Sequence, residues 1–223
     1  MLRFIQRTHC AGSFARKAFA PMETLLLSLH IPETASVGLG LVTGQHCFIG
    51  EDVRIGANVT LGNMCVIERG AVIGDGVRID HFCVIGANCR VGDNTRLRSH
   101  VELRENTIVG HDCYIDSGVR SSGRNRIGNN VTLRYDVIIA RGCDIGDNAY
   151  ICPQVMTNNL DHNGKEVGGA AIGAHCFIGT NSTVGAGLRI APRTVVGAKA
   201  MMTKDVEEAG VYVGVPAKRV RDL

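Results

Sequence analysis

Large apolar residues recur at every sixth position over most of the chain. From Ile49 to Ile151 this step meets eighteen positions, and seventeen of them hold Ile, Leu or Val, with Ser121 as the exception. The fifth position of each six-residue unit is small or β-branched, and a Gly often follows the large residue. Neither the 3.6-residue period of a helix nor the two-residue period of a simple strand gives this spacing. A fixed repeat of this kind predicts a solenoid.

The repeat also predicts how the solenoid is built. The first and fifth positions of each unit should point inward, and the second, often Gly, allows a sharp corner. Three units then close one triangular coil, and successive coils stack at about 4.8 Å, the spacing of strands in a sheet. The fold class that we predict is therefore an all-β prism with a thin core of Ile, Leu and Val.

The repeat divides the chain into three parts. It is weak from Val37, holds to Thr157, fails over residues 158–171, resumes at Ile172 and ends near Glu207. We therefore predict an N-terminal arm at residues 1–36, a solenoid at 37–207 with a loop at 158–171, and a tail at 208–223. Polar loops on a rigid scaffold are where function concentrates, so the loop is the first place to look for a site.

The sequence of the N-terminal arm predicts a short helix at residues 21–29, with Pro21 in its first turn and Pro32 past its end. The residues before it carry four Lys or Arg side chains and no acid until Glu23. That pattern fits a mitochondrial presequence. We favour the alternative, an arm that caps the first coil, because a bare terminal coil leaves sheet edges open.

Composition narrows the class of protein. The chain has 223 residues, no Trp and 4% aromatic residues, which suits one domain with a thin core. Its formal net charge of +3 is too mild to predict a nucleic-acid partner. No apolar run reaches the length of a membrane span.

The nine cysteines follow the repeat. No CxxC pair occurs, and seven of the nine fall at the fifth, inward position of a unit. These seven are Cys47, Cys65, Cys83, Cys89, Cys113, Cys143 and Cys176. We interpret them as small buried residues, kept reduced in the cytoplasm, with a disulfide framework as the alternative.

The repeat resembles that of the hexapeptide-repeat acyltransferases, whose fold is a left-handed parallel β-helix. Two late runs are also similar to the family, namely residues 196–206 and the Gly214-x-Pro216-Ala217-Lys218 run. The resemblance covers about residues 37–221. It implies a homotrimer that uses acetyl-CoA as co-substrate, with cofactor and acceptor meeting between adjacent prisms.

The resemblance also implies which residues contact acetyl-CoA. Pantetheine lies along backbone amides in the family, and a basic residue meets the nucleotide phosphates. The positions that match family contacts are Gly179, Thr180, Ala198, Thr203, Lys204 and Lys218. Lys199-Ala200 departs from the family's usual Gly-Ser, which leaves the approach of the cofactor at that point open.

His162 is the predicted general base. Transfer from a thioester to a hydroxyl needs a group that takes the proton, and His titrates nearest to working pH. The family usually places its catalytic His on or beside a loop that interrupts the late coils, and His162 is the only His in residues 158–171. Asn158 and Asn159 are the predicted acceptor-binding groups, and backbone amides are expected to stabilise the oxyanion.

His111 is the alternative base. The Val109–Cys113 run is similar to the His-Asp-Cys run of the lipid A UDP-N-acetylglucosamine acyltransferases. Those enzymes carry a sizeable C-terminal helical domain, whereas 16 residues follow Glu207 here. We therefore predict a structural role for His111.

The predicted function is transfer of an acetyl group from acetyl-CoA to a hydroxyl or amine of a small polar acceptor, a sugar or nucleotide-sugar, by direct transfer. Two alternatives remain open. One is a non-catalytic scaffold subunit. The other is a protein like the γ-class carbonic anhydrases, which would need three His ligands on zinc. His46 and His100 share a column but lie three coils apart, about 14 Å, so we predict no metal.

One row of basic residues belongs to the predicted outer surface. Arg54, Arg90 and Arg126 fall at one phase of the 18-residue period. Such a row could steer an anionic nucleotide-sugar or the cofactor towards the site. The alternative is an ordinary solvated face.

Overall fold

The structure, a computed structural model, describes residues 31–223 and consists of short strands joined by tight turns. The predicted helix at residues 21–29 lies outside the described part of the chain. In chain order the strands are β1 (Ser36–Val37), β2 (Val42–Thr43), β3 (Phe48–Ile49), β4 (Arg54–Ile55), β5 (Thr60–Leu61), β6 (Val66–Ile67), β7 (Val72–Ile73), β8 (Arg78–Ile79), β9 (Val84–Ile85), β10 (Arg90–Val91), β11 (Arg96–Leu97), β12 (Glu102–Leu103), β13 (Ile108–Val109), β14 (Tyr114–Ile115), β15 (Arg120–Ser121), β16 (Arg126–Ile127), β17 (Thr132–Leu133), β18 (Ile138–Ile139), β19 (Asp144–Ile145), β20 (Tyr150–Ile151), β21 (Met156–Thr157), β22 (Ala171–Ile172), β23 (Phe177–Ile178), β24 (Thr183–Val184), β25 (Arg189–Ile190), β26 (Val195–Val196), β27 (Met201–Met202), β28 (Val211–Val213) and β29 (Lys218–Arg221).

Every third strand belongs to the same sheet, so β1 to β27 form nine coils with three parallel sheets. Sheet A begins with β1, sheet B with β2 and sheet C with β3. Neighbouring strands pair 18 residues apart, as Arg54 does with Val72. The left-handed parallel β-helix expected from the sequence is confirmed.

The inward positions are those that the repeat predicts. In most strands the first residue faces outward and the second is buried, as in β15, where Arg120 is exposed and Ser121 is 1% exposed. The fifth-position residues are buried as well, for example Val53 and Val77 at 0% exposure. The core is therefore a narrow column of aliphatic layers that runs along the prism.

The corners depend on residues with a left-handed backbone. Asn58 and Asn94 both have a φ of 57°, a region that Asn tolerates better than most residues. At the corner between sheets A and B, carboxylates also link successive turns. The backbone N–H of Asp75, for instance, donates to Asp93 Oδ1 at 2.9 Å. These contacts fix the stacking of one coil on the next.

The repeat is interrupted between β21 and β22. Asp144 in β19 pairs with Ala171 in β22, a separation of 27 residues instead of 18, so nine extra residues leave the prism. After β27 the chain adds to sheet B, where β28 pairs with β26 in parallel and with β29 in antiparallel orientation. The tail therefore covers the late end of sheet B.

The seven cysteines expected to face inward do so. Six are buried, and Cys47, in the first coil, is partly buried. Cys152 is also buried, although the repeat does not place it at an inward position. All eight cysteines of the described residues are free thiols.

Candidate active site

The interrupting loop leaves the prism at the edge where sheet C meets sheet A. Leu160 and Glu166 form an isolated antiparallel bridge, and the N–H of Val167 donates to Asn159 O at 2.9 Å. The extra residues therefore fold as a small hairpin. Its flanks expose Leu160 by 51% and Val167 by 48%.

Asp161 organises the tip of this hairpin. Its Oδ1 accepts hydrogen bonds from the backbone N–H groups of Asn163, at 2.8 Å, and Lys165, at 2.9 Å. Because its carboxylate binds the backbone, it orients no imidazole. His162 is exposed at the tip, and its Nε2 lies 3.1 Å from the side-chain nitrogen of Asn163. The ring is therefore open to a substrate.

The base of the hairpin borders a shallow cavity of about 260 Å³, the upper pocket. Its floor includes the outward side chains of Ile138 and Met156, and its rim carries Asn158 and Asn159. The full lining is Ser122, Ile138, Ala140, Met156, Thr157, Asn158, Asn159 and Leu160. An apolar floor with two amides at the rim suits a small polar molecule that has one apolar face.

The structure distributes the residues predicted to contact acetyl-CoA over the two edges of sheet C and the tail strand on sheet B. Thr203 and Lys204 follow β27 at the edge that also carries the hairpin. Gly179-Thr180 follows β23, and Ala198 follows β26, both at the opposite edge. Lys218 opens β29 on sheet B. In sheet C, β27 lies two strands beyond β21, about 10 Å from the base of the hairpin.

Gly179 has a tight backbone requirement, and so does Lys199, which follows Ala198. A Cβ at Gly179 would lie 2.5 Å from the backbone nitrogen of Ala198, so only Gly fits against the coil above. Lys199, in place of the family's Gly, adopts a φ of 59° and is exposed, whereas Ala200 points inward at 1% exposure. The extra side chain at Lys199 therefore faces solvent next to Ala198.

His111 lies on a different edge, between sheets A and B, after β13. Its Nδ1 is 2.7 Å from Asp112 Oδ2, and both side chains are about half exposed. The sequence shows the two residues side by side but does not reveal that they bind each other. The prism does not bring His111 onto the edge that carries His162.

The predicted row of arginines lies on sheet A, where Val72 and Ile108 alternate with them in the same column. Arg126 pairs with Asp144 at 3.4 Å. Near the late coils, sheet A also carries a wider, open depression of about 470 Å³, and Ala171 is one of its lining residues. None of the predicted catalytic or cofactor-binding residues lines it.

Sheet C carries a second cavity, of about 250 Å³, which is lined by charged residues. The sequence does not predict it. We call it the lower pocket, and its lining residues are Glu68, Val84, Gly86, Glu102, Leu103, Arg104 and Glu105. The signal that could have found it is the 18-residue spacing, which places Glu68, Gly86 and Arg104 in one column. Comparing the outward-facing residues that lie 18 positions apart, as well as the inward-facing ones, would have grouped these charges.

Two classes of feature are absent from the described residues. Within residues 31–223 no group of three His, Cys, Asp or Glu side chains is placed to hold a metal ion. The same part of the chain contains no apolar helix of membrane-spanning length.

Two family models match the chain. Residues 28–124 match the GMPPB C-terminal domain, and residues 169–201 match the hexapeptide repeat of succinyl-transferase. The six-residue repeat read from the sequence is thus confirmed as a hexapeptide repeat.

A curated relative is the galactoside O-acetyltransferase of Escherichia coli (strain K12), 31% identical over 88 residues. The match covers 35% of this chain and 43% of that enzyme, so the chain spans less than half of its relative. Among solved structures, the UDP-N-acetylglucosamine O-acyltransferase of Moraxella catarrhalis RH4 has a TM-score of 0.60 at 19% identity, over 87% of this chain and 72% of that one. The UDP-N-acetylglucosamine acyltransferase of Francisella novicida has a TM-score of 0.51 at 20% identity, over 86% and 67%. At these identities the two structures share the fold with this chain.

Proposed function

Since the chain is a hexapeptide-repeat β-helix protein with acyltransferases among its relatives, we propose that it moves an acetyl group from acetyl-CoA to a hydroxyl or amine of a small polar acceptor. A sugar or nucleotide-sugar is the proposed acceptor. One observation carries the proposal, the shared edge of sheet C. There, the hairpin with exposed His162 and the pocket rimmed by Asn158 and Asn159 lie below Thr203 and Lys204.

The proposed reaction is a direct transfer within a complex of both substrates. The neutral imidazole of His162 takes the proton of the acceptor hydroxyl as its oxygen attacks the thioester carbonyl. Backbone N–H groups stabilise the resulting oxyanion. When the carbon–sulfur bond breaks, the imidazolium returns the proton to the CoA thiolate. Free CoA and the acetylated acceptor leave.

The donor would lie along the upper coils. Gly179 and Ala198 offer bare backbone for the pantetheine arm at one edge of sheet C, with Thr180 beside them, and Thr203 lies at the opposite edge. Lys204 and Lys218 would meet the phosphates, and charged hydrogen bonds of this kind are among the stronger contacts in proteins. Direct transfer of this kind needs no metal.

The proposal extends to assembly and compartment. We propose a homotrimer in which cofactor and acceptor meet between adjacent prisms. The exposed Leu160 and Val167 on the hairpin support contact with a second copy. The buried free thiols suit a reducing compartment, so the cytoplasm is the proposed location. The name of the galactoside O-acetyltransferase supports a sugar acceptor.

His111 is the alternative base, and one contact favours it. A carboxylate bound to Nδ1 orients the imidazole and stabilises its charged form, and Asp112 makes that contact at 2.7 Å. His162 has no such partner, because Asp161 binds the hairpin backbone. We retain His162 because it shares an edge with Thr203 and Lys204 of the proposed donor site, and the proposed acceptor residues lie at the base of its hairpin.

Calorimetry with acetyl-CoA tests the donor site. Lys204→Ala and Lys218→Ala should each raise the dissociation constant for acetyl-CoA, because a phosphate contact is lost. Each should affect dephospho-CoA less, because the 3′-phosphate is missing there. Arg69→Ala, an exposed substitution in an early coil, is the control and should change neither constant. Equal losses for the two cofactors would contradict the assignment of that lysine.

An acceptor screen tests the reaction itself. The protein, acetyl-CoA and a panel of sugars and amines are mixed, and release of free CoA thiol is followed. The proposal predicts release that depends on the acceptor. A protein that neither binds acetyl-CoA nor releases thiol would instead be a scaffold subunit.

A further inference from the structure

The lower and upper pockets lie on the same face of the prism. The lower pocket is built on β9 and β12, and the upper pocket on β18 and β21. In sheet C the order of strands is β21-β18-β15-β12-β9, so β15 alone separates the two. An acceptor that reacts at the upper pocket can therefore extend across β15 towards the lower one.

The lower pocket holds three carboxylates, and each already has a partner. Glu68 Oε2 accepts the backbone N–H of Ala87 at 2.9 Å. Glu102 Oε1 accepts from Arg104 Nε at 3.0 Å. Glu105 Oε1 lies 2.9 Å from a guanidinium nitrogen of Arg141, two coils away. The acids of this pocket are therefore engaged by groups of the protein itself.

The Glu105–Arg141 contact depends on Gly123 in the coil between them. A Cβ at this Gly would lie 3.0 Å from Glu105 O and 3.3 Å from Glu105 Cδ. Arg141 and the backbone N–H of Glu105 both lower the pKa of the Glu105 carboxyl, with the backbone contact contributing most. Glu105 therefore stays ionised and bound to Arg141.

Within the described residues, Arg120 is the basic residue on the outward face of sheet C that has no acidic partner. It is the outward residue of β15, with Glu102 and Ile138 as its register neighbours in β12 and β18. Glu102 is its nearest acid in the sheet, but that carboxylate binds Arg104. Among residues 31–223 no carboxylate lies within salt-bridge distance of Arg120, and its side chain is exposed. A free guanidinium thus stands between two pockets.

We propose that Arg120 binds an anionic group of the acceptor, which makes the acceptor an acidic sugar or a sugar that carries a phosphate. The inference rests on the proposed acyl transfer. It assigns the chemistry of the end of the acceptor that does not react. A guanidinium binds a carboxylate or phosphate through two parallel hydrogen bonds. Since β15 lies two strands from β21, the anionic group of the acceptor and its reacting hydroxyl or amine should be about 10 Å apart or less.

Binding and turnover are both measured, with three probes that differ in charge. UDP-N-acetylglucosamine supplies a diphosphate, galacturonate supplies a carboxylate, and methyl galactoside is neutral. We expect at least one anionic probe to bind and the neutral one to bind more weakly. Arg120→Gln should raise the dissociation constant and KM of the anionic probe by about tenfold to a hundredfold, since a charged hydrogen bond is lost. The value of kcat should change little, because Arg120 does not touch the reacting atoms.

Arg120→Lys should recover part of the affinity, because it keeps the charge but not the paired geometry. Arg78→Gln is the matched control, an exposed outward arginine on sheet B with no salt bridge in the described residues, and should have no effect. The probe that responds to Arg120→Gln distinguishes phosphate from carboxylate.

Two results would overturn the inference. One is that neither anionic probe binds to the wild-type protein in the presence of CoA. The other is that Arg120→Gln leaves their binding within twofold of wild type. Because binding is read without turnover, failure of the proposed acyl transfer would appear separately, as acceptor binding without thiol release.

Discussion

At the scale of single residues, the fifth position of the repeat decides the chemistry of the thiols. Cys65 and Cys83 point inward, and each Sγ lies 2.9 Å from a backbone carbonyl oxygen of the next coil. Burial raises the pKa of the Cys89 and Cys176 thiols to about 11, because a thiolate would lose its hydration there. The reactive species of a cysteine is the thiolate, so Cys89 and Cys176 should be inert in the folded protein at neutral pH.

Thiol labelling followed by intact-mass measurement checks this placement. At neutral pH we expect few of the nine cysteines to react, with the partly buried Cys47 the first of the described ones. The stability that Cys89 and Cys176 contribute is fully present below their ordinary pKa of about 9 and is lost as pH rises through about 11. Labelling should therefore accelerate above about pH 9. Rapid modification of most cysteines at neutral pH would contradict the inward register.

At the scale of elements, β15 and the turn after it carry a buried polar group into an aliphatic core. Ser121 Oγ lies 2.7 Å from Thr107 Oγ1 and accepts a hydrogen bond from Asn125 Nδ2 at 2.9 Å. Asn125 Oδ1 in turn accepts the backbone N–H of Cys143 at 2.8 Å. The exception in the apolar repeat is therefore one member of a satisfied network, and no described buried side-chain polar atom lacks a partner.

Asn125→Leu tests the contribution of this network. The substitution keeps the number and branching of the side-chain heavy atoms but leaves the Cys143 N–H without an acceptor and Ser121 without one of its partners. We expect the free energy of unfolding to fall by about 1–3 kcal/mol, the cost of unsatisfied buried polar groups. Thermal and urea unfolding would measure it.

Asn129→Ala is the comparison variant. This half-buried corner side chain accepts the His111 N–H at 3.1 Å, and water can replace it there, so its removal should cost less. A loss for Asn125→Leu no larger than for Asn129→Ala would mean that the core network contributes little.

At the scale of the whole molecule, the period of the sequence was enough to predict the prism, because every inward position repeats after six residues. The break after Thr157 likewise predicted an interrupting loop, whose hairpin form is seen only in the structure. Pairings between outward side chains could not be predicted in this way. Glu105 and Arg141 are 36 residues apart and meet because Gly123 leaves room between them. The His111–Asp112 contact depends on side-chain rotamers that no period determines.

The proposed site extends over several coils, from the hairpin to the late turns, and His162 is the group in it that the chemistry needs most. A hydroxyl attacks a thioester poorly until its proton is removed, and general-base catalysis typically contributes about 10²–10⁴-fold. An amine that arrives partly deprotonated depends less on this help. The effect of removing the imidazole therefore reports both on the base and on the kind of acceptor.

The most direct test is the turnover of His162→Asn on the acceptor that the screen identifies, with acetyl-CoA affinity measured on the same protein. We predict unchanged acetyl-CoA affinity and a turnover on a hydroxyl acceptor that falls by about a hundredfold or more. A fall of less than tenfold on an amine acceptor would indicate N-acetylation, with Asn158 and Asn159 as positioning groups. Unchanged turnover in His162→Asn, together with its loss in His111→Asn, would contradict the account and make His111 the base.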